Sequence, residues 1–530
     1  MSKLKALIKS LAPYWIARKL HAHRKFEQAL QGLGQAEAPL ARTGQTVLVF
    51  SSMGVFADHM VVDTLLAREL QRQGAEVIVV LCDGVMPACH VSDRYAYAGA
   101  LSPGGRDARQ QRLCHACIGA TEALRRDSGL RYASYSEGIA HRRGGAAADA
   151  PVDLADDVRA GLIRFAASSH PEVLQRLPAD VNQRYEHAAG HALEAVEGLF
   201  DKYKPDTVIA HHGIYLPQGI VQRVACARGT TFYSWHFGYR KSTLIFSRGD
   251  TYHRELTAPQ PAAFEVPLTE GERSRISDYL SSRMSGGQDW IHFNRKPQPF
   301  DGKSAKRGYF VCYTSVDWDA ALHFPASVFS SQFDFLEKLV ELFAQTPDYD
   351  LVIRIHPAEV TGFNPAALSA ESFLRRRPVP LNVRIISATN KTSSYDLARH
   401  CIASIVYNTK LGIELPPMSI PVIVAGDCWI RGKGFSYDVE GPGDLAAFVR
   451  QGEALQVNAE QRERALQFAH YFYYRRCIDT PELTSAGPKF QISVSSEGLQ
   501  KVRAEGGGLS RIAELVRAGR DVVVPVRGAV

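Results

Sequence analysis

The stretch QTVLVFSSMGVFADHMVVDTLLARELQRQGAEVIVVLC, residues 45–82, sets the fold class that the sequence predicts. It starts with an apolar run typical of a buried strand, passes through a loop into a helical segment closed by Gly74, and ends in a second apolar run. A strand, a helix and a strand in this order form a βαβ unit, whose two strands lie parallel in one sheet. The stretch therefore predicts an α/β domain built on a parallel sheet.

The same order of elements returns further along the chain. A helix and a strand are predicted over 190–210, followed by the loop HHGIYLPQG (211–219), a helix and the strand TTFYSW (230–235). A second series runs from GYFVCYT (308–314) to IPVIVAG (420–426). We therefore predict two Rossmann-like, doubly wound domains facing a central cleft, with ligands bound at the carboxyl ends of the strands.

Changes in composition give the domain boundaries. A polar stretch rich in Gly, Pro, Lys and Ser separates the two series and has the composition of a linker. The predicted segments are a basic amphipathic N-terminal arm over 1–44, an N-terminal domain over 45–285, a linker over 286–305, a C-terminal domain over 306–480 and a C-terminal tail over 481–530.

The overall composition excludes several classes of protein. Of the 530 residues, 45% are hydrophobic and 22% are charged, and a chain of this length is too long for one core. The formal charge of +7, from 62 basic and 55 acidic residues, suits phosphate-bearing ligands or an anionic membrane surface and implies no nucleic-acid partner. Nine cysteines without a secretory signal, and no apolar run near the ~20 residues that span a bilayer, predict a cytoplasmic protein.

The N-terminal arm has two interpretations. Its apolar residues recur near helical spacing with lysines and arginines between them, a pattern typical of a helix lying on an anionic membrane, which would make the protein peripheral on the inner face of the cytoplasmic membrane. The same pattern also suits a helix packed on the protein's own body, and this is the commoner arrangement. The apolar residues are Leu4, Leu7, Ile8, Leu11, Trp15 and Ile16.

The stretch LVIRIHPAEV (351–360) places a positive charge and a histidine at the end of a buried strand. Arg354 and His356 share one face of the strand because side chains alternate, and Pro357 ends it. A guanidinium and an imidazole side by side form a clamp for a phosphate that needs no metal. The structural alternative is that His356 caps the strand while Arg354 pairs with Glu359.

A second polar group follows in YNTKLGIEL (407–415). Asn408, Thr409 and Lys410 come at a predicted strand end and helix start, where backbone N–H groups and the helix dipole favour anions. Glu414 on that helix can accept hydrogen bonds from two ribose hydroxyls, and the small Gly412 would let a ligand come close. The alternative for Glu414 is a solvated surface carboxylate.

Together, LVIRIHPAE, SSYDL (393–397) and YNTKLGIELPPMSIPVIVAGDCWIRGKGFSYDV resemble the C-terminal half of bacterial capsule polysaccharide biosynthesis proteins, the group that includes the capsule Kdo transferases. The first-domain string from VIAHHGIYLPQG to TYHREL resembles surface-polysaccharide proteins of the same group. The resemblance implies a GT-B-like fold with an acceptor-side domain followed by a nucleotide-sugar domain. It also implies a CMP- or UDP-linked donor, contact of His356 with the donor phosphate, and nucleotide binding by residues 408–414.

The first domain would then supply the acceptor side of a glycosyl transfer. Such a transfer needs a base for the acceptor hydroxyl, and His212 leads the candidates, with Asp250 as its competitor. The dense polar and aromatic set around WHFGYRK predicts contacts with a polysaccharide or a lipid-linked glycan. Each histidine could instead be structural, and the set could be a solvated loop. The predicted substrate-binding residues are His211, His236, Tyr239, Arg240 and Lys241.

Four cysteines in CDGVMPAC and CHAC suggest a structural zinc ion. Cys82 and Cys89 form one pair, and Cys114 and Cys117 form a second pair with the Cys-x-x-Cys spacing of zinc sites. Reduced thiols or a redox pair are the alternatives, because the first spacing is wider than is usual.

The sequence therefore predicts a metal-independent glycosyltransferase that moves a sugar from a nucleotide-sugar donor to a bacterial capsule or surface polysaccharide. A sugar-nucleotide epimerase has the same architecture and is distinguished by its independence of an acceptor. A scaffold subunit of a polysaccharide assembly complex is the non-catalytic alternative.

Overall fold

The structure, a computed structural model, describes most of the chain. The described residues are 14–33, 41–51, 54–89, 91, 93, 106–144, 152–283, 288–290, 298–300, 308–319, 327–361, 366–485, 492–494 and 496–525. The start of the predicted arm, 1–13, and most of the predicted linker lie outside them.

Strands are numbered in chain order over the described residues. They are β1 Thr46–Phe50, β2 Glu76–Leu81, β3 Arg131–Ser134, β4 Thr207–His211, β5 Thr231–Phe237, β6 Thr243–Arg248, β7 Tyr309–Tyr313, β8 Asp350–Arg354, β9 Val383–Ile386, β10 Ser404–Val406, β11 Val422–Val424, β12 Tyr437–Asp438, β13 Cys477–Asp479, β14 Leu483–Ser485 and β15 Ile492–Val494.

The helices are numbered in the same way. They are α1 Tyr14–Leu33, α2 Ala57–Arg72, α3 Arg106–Ala120, α4 Glu122–Asp127, α5 Tyr135–Gly144, α6 Ala155–Ala166, α7 Pro171–Gln175, α8 Ala179–Tyr203, α9 Gln218–Ala227, α10 Tyr252–Thr257, α11 Glu270–Ser282, α12 Gln332–Ala344, α13 Ala358–Thr361, α14 Ala370–Leu374, α15 Ser394–Arg399, α16 Leu411–Glu414, α17 Asp444–Gln451, α18 Ala459–His470, α19 Ser496–Ala504 and α20 Gly508–Arg517. A π-helical turn, Tyr471–Arg476, continues α18.

The first sheet has the strand order β13-β6-β5-β4-β1-β2-β3. Strands β5, β4, β1, β2 and β3 run parallel, while β6 pairs antiparallel with β5 and with β13. The central strands are buried almost throughout, which explains why they read as continuous apolar runs. The chain builds outward from β1 to β3 and then returns to the other side of β1 with β4, so the strand order reverses between β1 and β4.

The second sheet repeats this plan. Its order is β12-β11-β10-β7-β8-β9, and every pairing is parallel. Here the order reverses between β7 and β10. Apolar side chains of the central strands pack with α12 and the helices around it into one core, including Phe310, Leu336, Ile353 and Ile405. Two sheets of this kind confirm the predicted class of two Rossmann-like domains, as in a GT-B-like fold, while the predicted cleft stays a prediction.

The compact units differ from the predicted domain boundaries. The first unit contains 1–165, 178–252 and 477–523, and the second contains 166–177, 253–476 and 524–530. The segment 253–285 therefore belongs to the second unit. The end of the predicted C-terminal domain belongs to the first unit, because β13 pairs with β6 in its sheet. Residues 481–523 of the predicted tail belong to the first unit as well. Short apolar runs such as those of β6 and β13 give weak sequence signals, and neither strand is among the predicted elements.

The helix α1 packs on the first unit. Its side chains Ala22, Phe26 and Ala29 are buried, and the Lys25 ammonium lies 3.2 Å from a carboxylate oxygen of Asp58 at the start of α2. The structural interpretation of the arm therefore holds for α1 from Lys19 onward, while the side chains of the predicted apolar residues Leu4 to Ile16 lie outside the described ones. Among the described helices, none combines the length and the apolar character needed to cross a bilayer.

Candidate functional site

The loops after β7, β8 and β10 meet at the reversal point of the second sheet. Doubly wound sheets bind ligands there, outside the carboxyl ends of the strands. The Ser315 hydroxyl, after β7, contacts Asn408 Oδ1, after β10, and lies 2.6 Å from Gln332 Oε1 at the start of α12. The His356 backbone N–H, after β8, donates to Thr314 Oγ1 at 2.8 Å. The Ser315–Asn408 and His356–Thr314 hydrogen bonds join the three loops into one polar surface.

His356 is held in a defined orientation on this surface. Its Nδ1 accepts a hydrogen bond from the Ala358 backbone N–H at 3.1 Å, so the neutral ring carries its proton on Nε2. Burial, with the positive charges of Lys410 and Arg354, lowers the pKa of His356 to about 4. The imidazole is therefore neutral at physiological pH and can donate one hydrogen bond from Nε2.

Arg354 does not take part in the phosphate clamp that the sequence predicts. Its guanidinium is 3% exposed and donates to the carbonyl oxygens of Ser387, and of Asn390 at 2.8 Å. The loop after β9 presents these carbonyls to a side chain that leaves the sheet on that face, and so the guanidinium is held inside the domain. Arg354 therefore ties β8 to the neighbouring loop, and its predicted pairing with Glu359 is not formed either.

The segment after β10 contributes a cation but no long helix. The helix α16 has only four residues, so the dipole expected to favour an anion near Asn408 and Thr409 is small. The Lys410 side chain is 29% exposed, and its ammonium lies 3.9 Å from Glu414 Oε1. Lys410 thus places a partly exposed positive group on this surface.

Glu414 is buried and binds other residues of the protein. Its carboxylate is fully buried and accepts hydrogen bonds from the hydroxyls of Tyr395 and Tyr473, each at 2.6 Å. The Arg283 guanidinium lies 3.0 Å from the same group. Both oxygens are occupied by protein donors, so neither the predicted ribose contact nor a solvated surface position describes Glu414.

Gly412 has a packing role rather than a ligand-facing one. A Cβ added at Gly412 would lie 1.9 Å from Ile430 Cδ1. The absent side chain therefore makes room for Ile430, which is itself buried. A residue that admits a ligand would instead open onto free space.

Two buried acidic residues lie near the loop after β8. The sequence suggested Glu359 only as a partner of Arg354 and did not indicate Asp317. Glu359 is hydrogen-bonded to Thr314, and burial raises the pKa of Glu359 to about 8. Burial likewise raises the pKa of Asp317 to about 6, although the backbone N–H of Ser169 and neighbouring hydroxyls donate to it. Glu359 stands three residues after His356, and this spacing on the short helix after β8 is the signal that could have indicated it.

The corresponding edge of the first sheet carries a cluster of histidines. His211 ends β4, His212 follows it and His236 lies on β5. The ring centroids of His211 and His212 are 4.5 Å apart, and those of His212 and His236 are 4.3 Å apart. The structure thus brings together three of the residues predicted for the acceptor side. This is also the reversal point of the first sheet, on the β4 side.

His59, on α2, is a fourth member of the cluster that the sequence reasoning missed. Its ring centroid lies 4.2 Å from that of His211. Burial, followed by the charge of His236, lowers the pKa of His59 to about 3, and burial also lowers the pKa of His211 well below its usual value. The position of His59 near the start of the helix after β1 was the available signal.

Trp235 and Asp63 support the cluster from within the sheet. Trp235 is 1% exposed and donates its indole N–H to Asp63 Oδ1 at 2.7 Å. Ser51, at the end of β1, contacts the other oxygen of Asp63. Burial raises the pKa of Asp63 to about 7. Trp235 is therefore a core residue rather than a platform for a sugar.

The remaining predicted acceptor residues separate into structural and accessible ones. Arg240 is buried and pairs with Asp479 on β13 at 2.8 Å, so it fixes the sheet edge instead of binding an acidic acceptor. Lys241 is exposed. The Tyr239 hydroxyl lies 3.2 Å from that of Tyr252. Asp250 is half-buried, and its Oδ1 accepts from the Thr251 backbone N–H.

The four predicted zinc-ligand cysteines line one small cavity in the first unit. Cys82, Cys89, Cys114 and Cys117 surround about 40 Å³ together with apolar side chains such as Met86. Burial raises the pKa of Cys114 to about 12 and that of Cys117 to about 11, which keeps these thiols protonated at neutral pH. Among the described residues, the four sulfurs do not form a group with metal-like spacing, whereas His211, His212 and His236 do. Zinc at the cysteines stays a prediction.

The sequence of the second unit carries a family match. Residues 298–473 match the family of capsule polysaccharide biosynthesis proteins. The predicted resemblance is confirmed for this range, which contains His356 and the segment 408–414. None of the curated proteins compared matches the sequence.

Similarity to solved structures is low. The beta Kdo 2,4 transferase KpsC of Thermosulfurimonas dismutans is 14% identical, with a TM-score of 0.37, over 52% of this chain and 82% of that chain. The beta Kdo 2,7 transferase of the same protein is 14% identical, with a TM-score of 0.36, over 59% and 89%. UDP-GlcNAc 2-epimerase from Neisseria meningitidis is 11% identical, with a TM-score of 0.24, over 87% and 100%. Likenesses at this level carry no conclusion about activity or substrate.

Proposed function

We propose that this protein is a glycosyltransferase that moves a sugar from a CMP- or UDP-linked donor to a bacterial capsule or surface polysaccharide. The observation that carries the proposal is the polar surface at the reversal point of the second sheet. It joins Thr314, Ser315, His356 and Asn408 inside the range that matches capsule polysaccharide biosynthesis proteins. A nucleotide-sugar donor would bind at this edge, as ligands do in doubly wound sheets.

His356 is the proposed contact for the donor phosphate. A neutral imidazole that donates from Nε2 forms a hydrogen bond that strengthens as the leaving nucleotide gains negative charge. The partly exposed ammonium of Lys410 supplies positive charge near the same phosphate. Asn408 and Thr409 are proposed to contact the nucleotide, while Glu414 and Arg354 hold the loops in place through their internal partners.

The proton of the acceptor hydroxyl is proposed to pass to a base of the first unit. His212 and Asp250 are the two candidates, and both are half-buried. The neighbouring His211, His236, Tyr239 and Lys241 are proposed to contact the glycan or its lipid-linked phosphate. Transfer would proceed by direct displacement, with no metal on the donor phosphate.

The proposed location is the cytoplasm, in part on the inner face of the membrane. The nine cysteines all lie within the described residues, and no disulfide joins any two of them there. Membrane contact would involve the basic residues that precede α1, because α1 itself packs on the first unit.

The proposal is tested by nucleotide binding and then by transfer. CMP-, UDP- and GDP-sugars are screened for thermal stabilisation of the wild type, of His356→Gln and of His400→Gln, an exposed histidine of the same unit that serves as the control. A ligand that binds only the native state raises its melting temperature. We expect stabilisation of the wild type and the control by one nucleotide class, a smaller shift in His356→Gln, and a 10²–10³-fold loss of transfer, roughly the cost of removing one such donor.

Two results would contradict the proposal. The first is that no nucleotide sugar stabilises the wild type, and the second is that His356→Gln binds and turns over like the control. Conversion of a sugar nucleotide to its epimer without any acceptor, with the nucleotide still attached in the product, would instead favour the epimerase.

A further inference from the structure

We propose that His211, His212 and His236 bind a divalent transition metal ion, with Zn²⁺ as the first choice. Each histidine offers a ring nitrogen, and these three atoms all lie within 4.8 Å of one another. Zinc binds imidazole nitrogen at about 2.1 Å, so two ligands of a tetrahedral site are separated by roughly 3.4 Å. Small rotations of the three rings would close the remaining difference.

The backbone brings two consecutive histidines to the same place. Neighbouring side chains of a strand point to opposite faces of the sheet. His212 breaks this alternation with a left-handed φ of 65°, and its backbone N–H donates to the Trp235 carbonyl at 3.0 Å. The turn directs the His212 ring toward that of His211 and beside His236 on the adjacent strand. Left-handed backbone is uncommon for a residue other than glycine, and such conformations cluster at ligand sites.

The hydrogen bond of His236 determines which of its ring nitrogens can bind a metal. His236 Nδ1 lies 2.8 Å from the carbonyl oxygen of Phe237, so this nitrogen carries the proton and donates it. The lone pair is then on Nε2. Metal-binding histidines commonly donate their other ring N–H to a backbone carbonyl in this way, which fixes the orientation of the ring.

His211 provides a separate indication of a missing ligand. Its Nε2 is buried, and no hydrogen-bond partner for it is found among the described residues. A buried polar atom in this state requires an explanation, and a bound ion is one of the few available. The rings of His59, Tyr215 and Tyr252 surround the three histidines and would limit access of water to the ion.

The donor set selects the class of metal. Three imidazole nitrogens favour zinc or another late first-row ion, because magnesium and calcium take oxygen ligands. Three protein ligands also leave one tetrahedral position for an oxygen ligand, such as water or a sugar hydroxyl. Histidine nitrogens bound to the metal cannot act as a base or contact the glycan. Asp250 would then be the base of the proposed transfer, and Tyr239 and Lys241 would be the remaining glycan contacts. The metal site goes beyond the proposed function and does not depend on it.

The test measures metal in the purified full-length protein. The wild type is stripped with a chelator, titrated with Zn²⁺ by calorimetry, and loaded with Co²⁺ for visible absorption spectroscopy. His211→Gln and His236→Gln remove ligands, while His187→Gln, an exposed histidine of the same unit, is the matched control. A Cys114→Ser/Cys117→Ser variant separates this site from the cysteine cavity.

We expect one tightly bound ion per chain in the wild type, the control and the cysteine variant. The Co²⁺ spectrum should show tetrahedral bands without thiolate charge transfer, and both histidine ligand variants should bind at least 100-fold more weakly while keeping the circular dichroism of the wild type. If those variants fail to fold, the wild-type stoichiometry and Co²⁺ spectrum still decide. Absence of tight binding in the wild type, binding that survives His236→Gln, or a spectrum dominated by thiolate charge transfer would overturn the proposal.

Discussion

At the residue scale, His356 and Glu359 are held in place by a shared partner, the Thr314 hydroxyl. The Thr314 hydroxyl accepts a hydrogen bond from the His356 backbone and is itself bonded to Glu359. The Ala370 backbone N–H donates to Glu359 at 2.9 Å. The Glu359 carboxyl group is thus almost fully buried, which accounts for its raised pKa.

The raised pKa of Glu359 predicts a pH-dependent stability of the second unit. The folded-state pKa of about 8 exceeds the usual value of 4.5, so between these values the folded protein binds a proton that the unfolded chain has lost. Stability from this group is present below pH 4.5 and is lost as the pH rises toward 8. Each pKa unit corresponds to about 1.4 kcal/mol, so the loss is on the order of a few kcal/mol.

Glu359→Gln should remove this component of the pH dependence. Urea unfolding of the wild type and the variant at several pH values between 4.5 and 8 measures it. The two curves should diverge as the pH rises, with the variant becoming relatively more stable. Asp317 is one of the buried acids that still titrate in both proteins, so some pH dependence should remain in the variant. If the free energies of unfolding of the two proteins change with pH in parallel, Glu359 does not have the raised pKa that its burial implies.

Glu414 gives a second prediction at this scale. Replacing it with Gln removes one of the two carboxylates that pair with the buried Arg283 guanidinium and leaves Asp289 as the other, so the cost should lie at or below the about 3–5 kcal/mol typical of breaking a buried pair. Glu414→Gln should therefore lower the free energy of unfolding, measured with urea, while Glu440→Gln at an exposed site should not. A variant that keeps its stability but loses nucleotide binding would restore the ribose role.

At the scale of elements, α5 and α8 pack through two glycines. A Cβ added at Gly198 would lie 1.9 Å from the Gly138 carbonyl oxygen, and one added at Gly138 would lie 2.1 Å from the Ala195 carbonyl oxygen. Both contacts are with backbone atoms, which cannot rotate away as a side chain can, so the helices would have to move apart to admit a larger residue. These glycines therefore set the distance between the two helices.

Gly198→Ala and Gly190→Ala make a matched pair on the same helix. The first should destabilise the protein by about 1–3 kcal/mol, the usual cost of overpacking. A Cβ added at Gly190 would have no neighbour within 4 Å. Gly190→Ala should therefore stabilise the protein by roughly 0.5–1 kcal/mol, because alanine loses less backbone entropy on folding. Thermal or urea unfolding measures both. Equal effects of the two substitutions would refute the close contact of α5 with α8.

At the scale of the whole molecule, the chain completes its first unit with residues near its C-terminus. The β13 strand extends the first sheet, and α20 packs on α2, where Arg72 donates to the Ser510 hydroxyl at 3.1 Å. Ile512 on α20 is fully buried. The stability of the first unit therefore depends on residues that the sequence assigned to a separate tail.

Ile512→Ala tests this assignment. Removing a large buried aliphatic side chain typically costs about 2–5 kcal/mol. Hydrogen exchange followed by mass spectrometry should show faster exchange in peptides covering β1 and β2, with β7 and β8 unchanged. The exposed Glu514→Ala on the same helix should alter neither set. Faster exchange confined to β7 and β8 would mean that α20 supports the second unit instead.

The sequence by itself determined the two series of strands and helices, and it located the loops that follow β4, β8 and β10. Buried parallel strands read as continuous apolar runs, and helices between them carry their own periodicity, so these features depend on local residues. His356 and the pair His211 and His212 were predictable for the same reason, because each follows directly on such a run.

Only the tertiary structure decided where the polar side chains point and what they meet. Arg354 turned to the carbonyls after β9, and Glu414 was enclosed by Arg283, Tyr395 and Tyr473, which are distant in sequence. The histidine cluster likewise required β4 and β5 to be neighbours in the sheet. A polar side chain takes the partner that lowers its free energy most, and burial makes that choice depend on groups brought together only by folding.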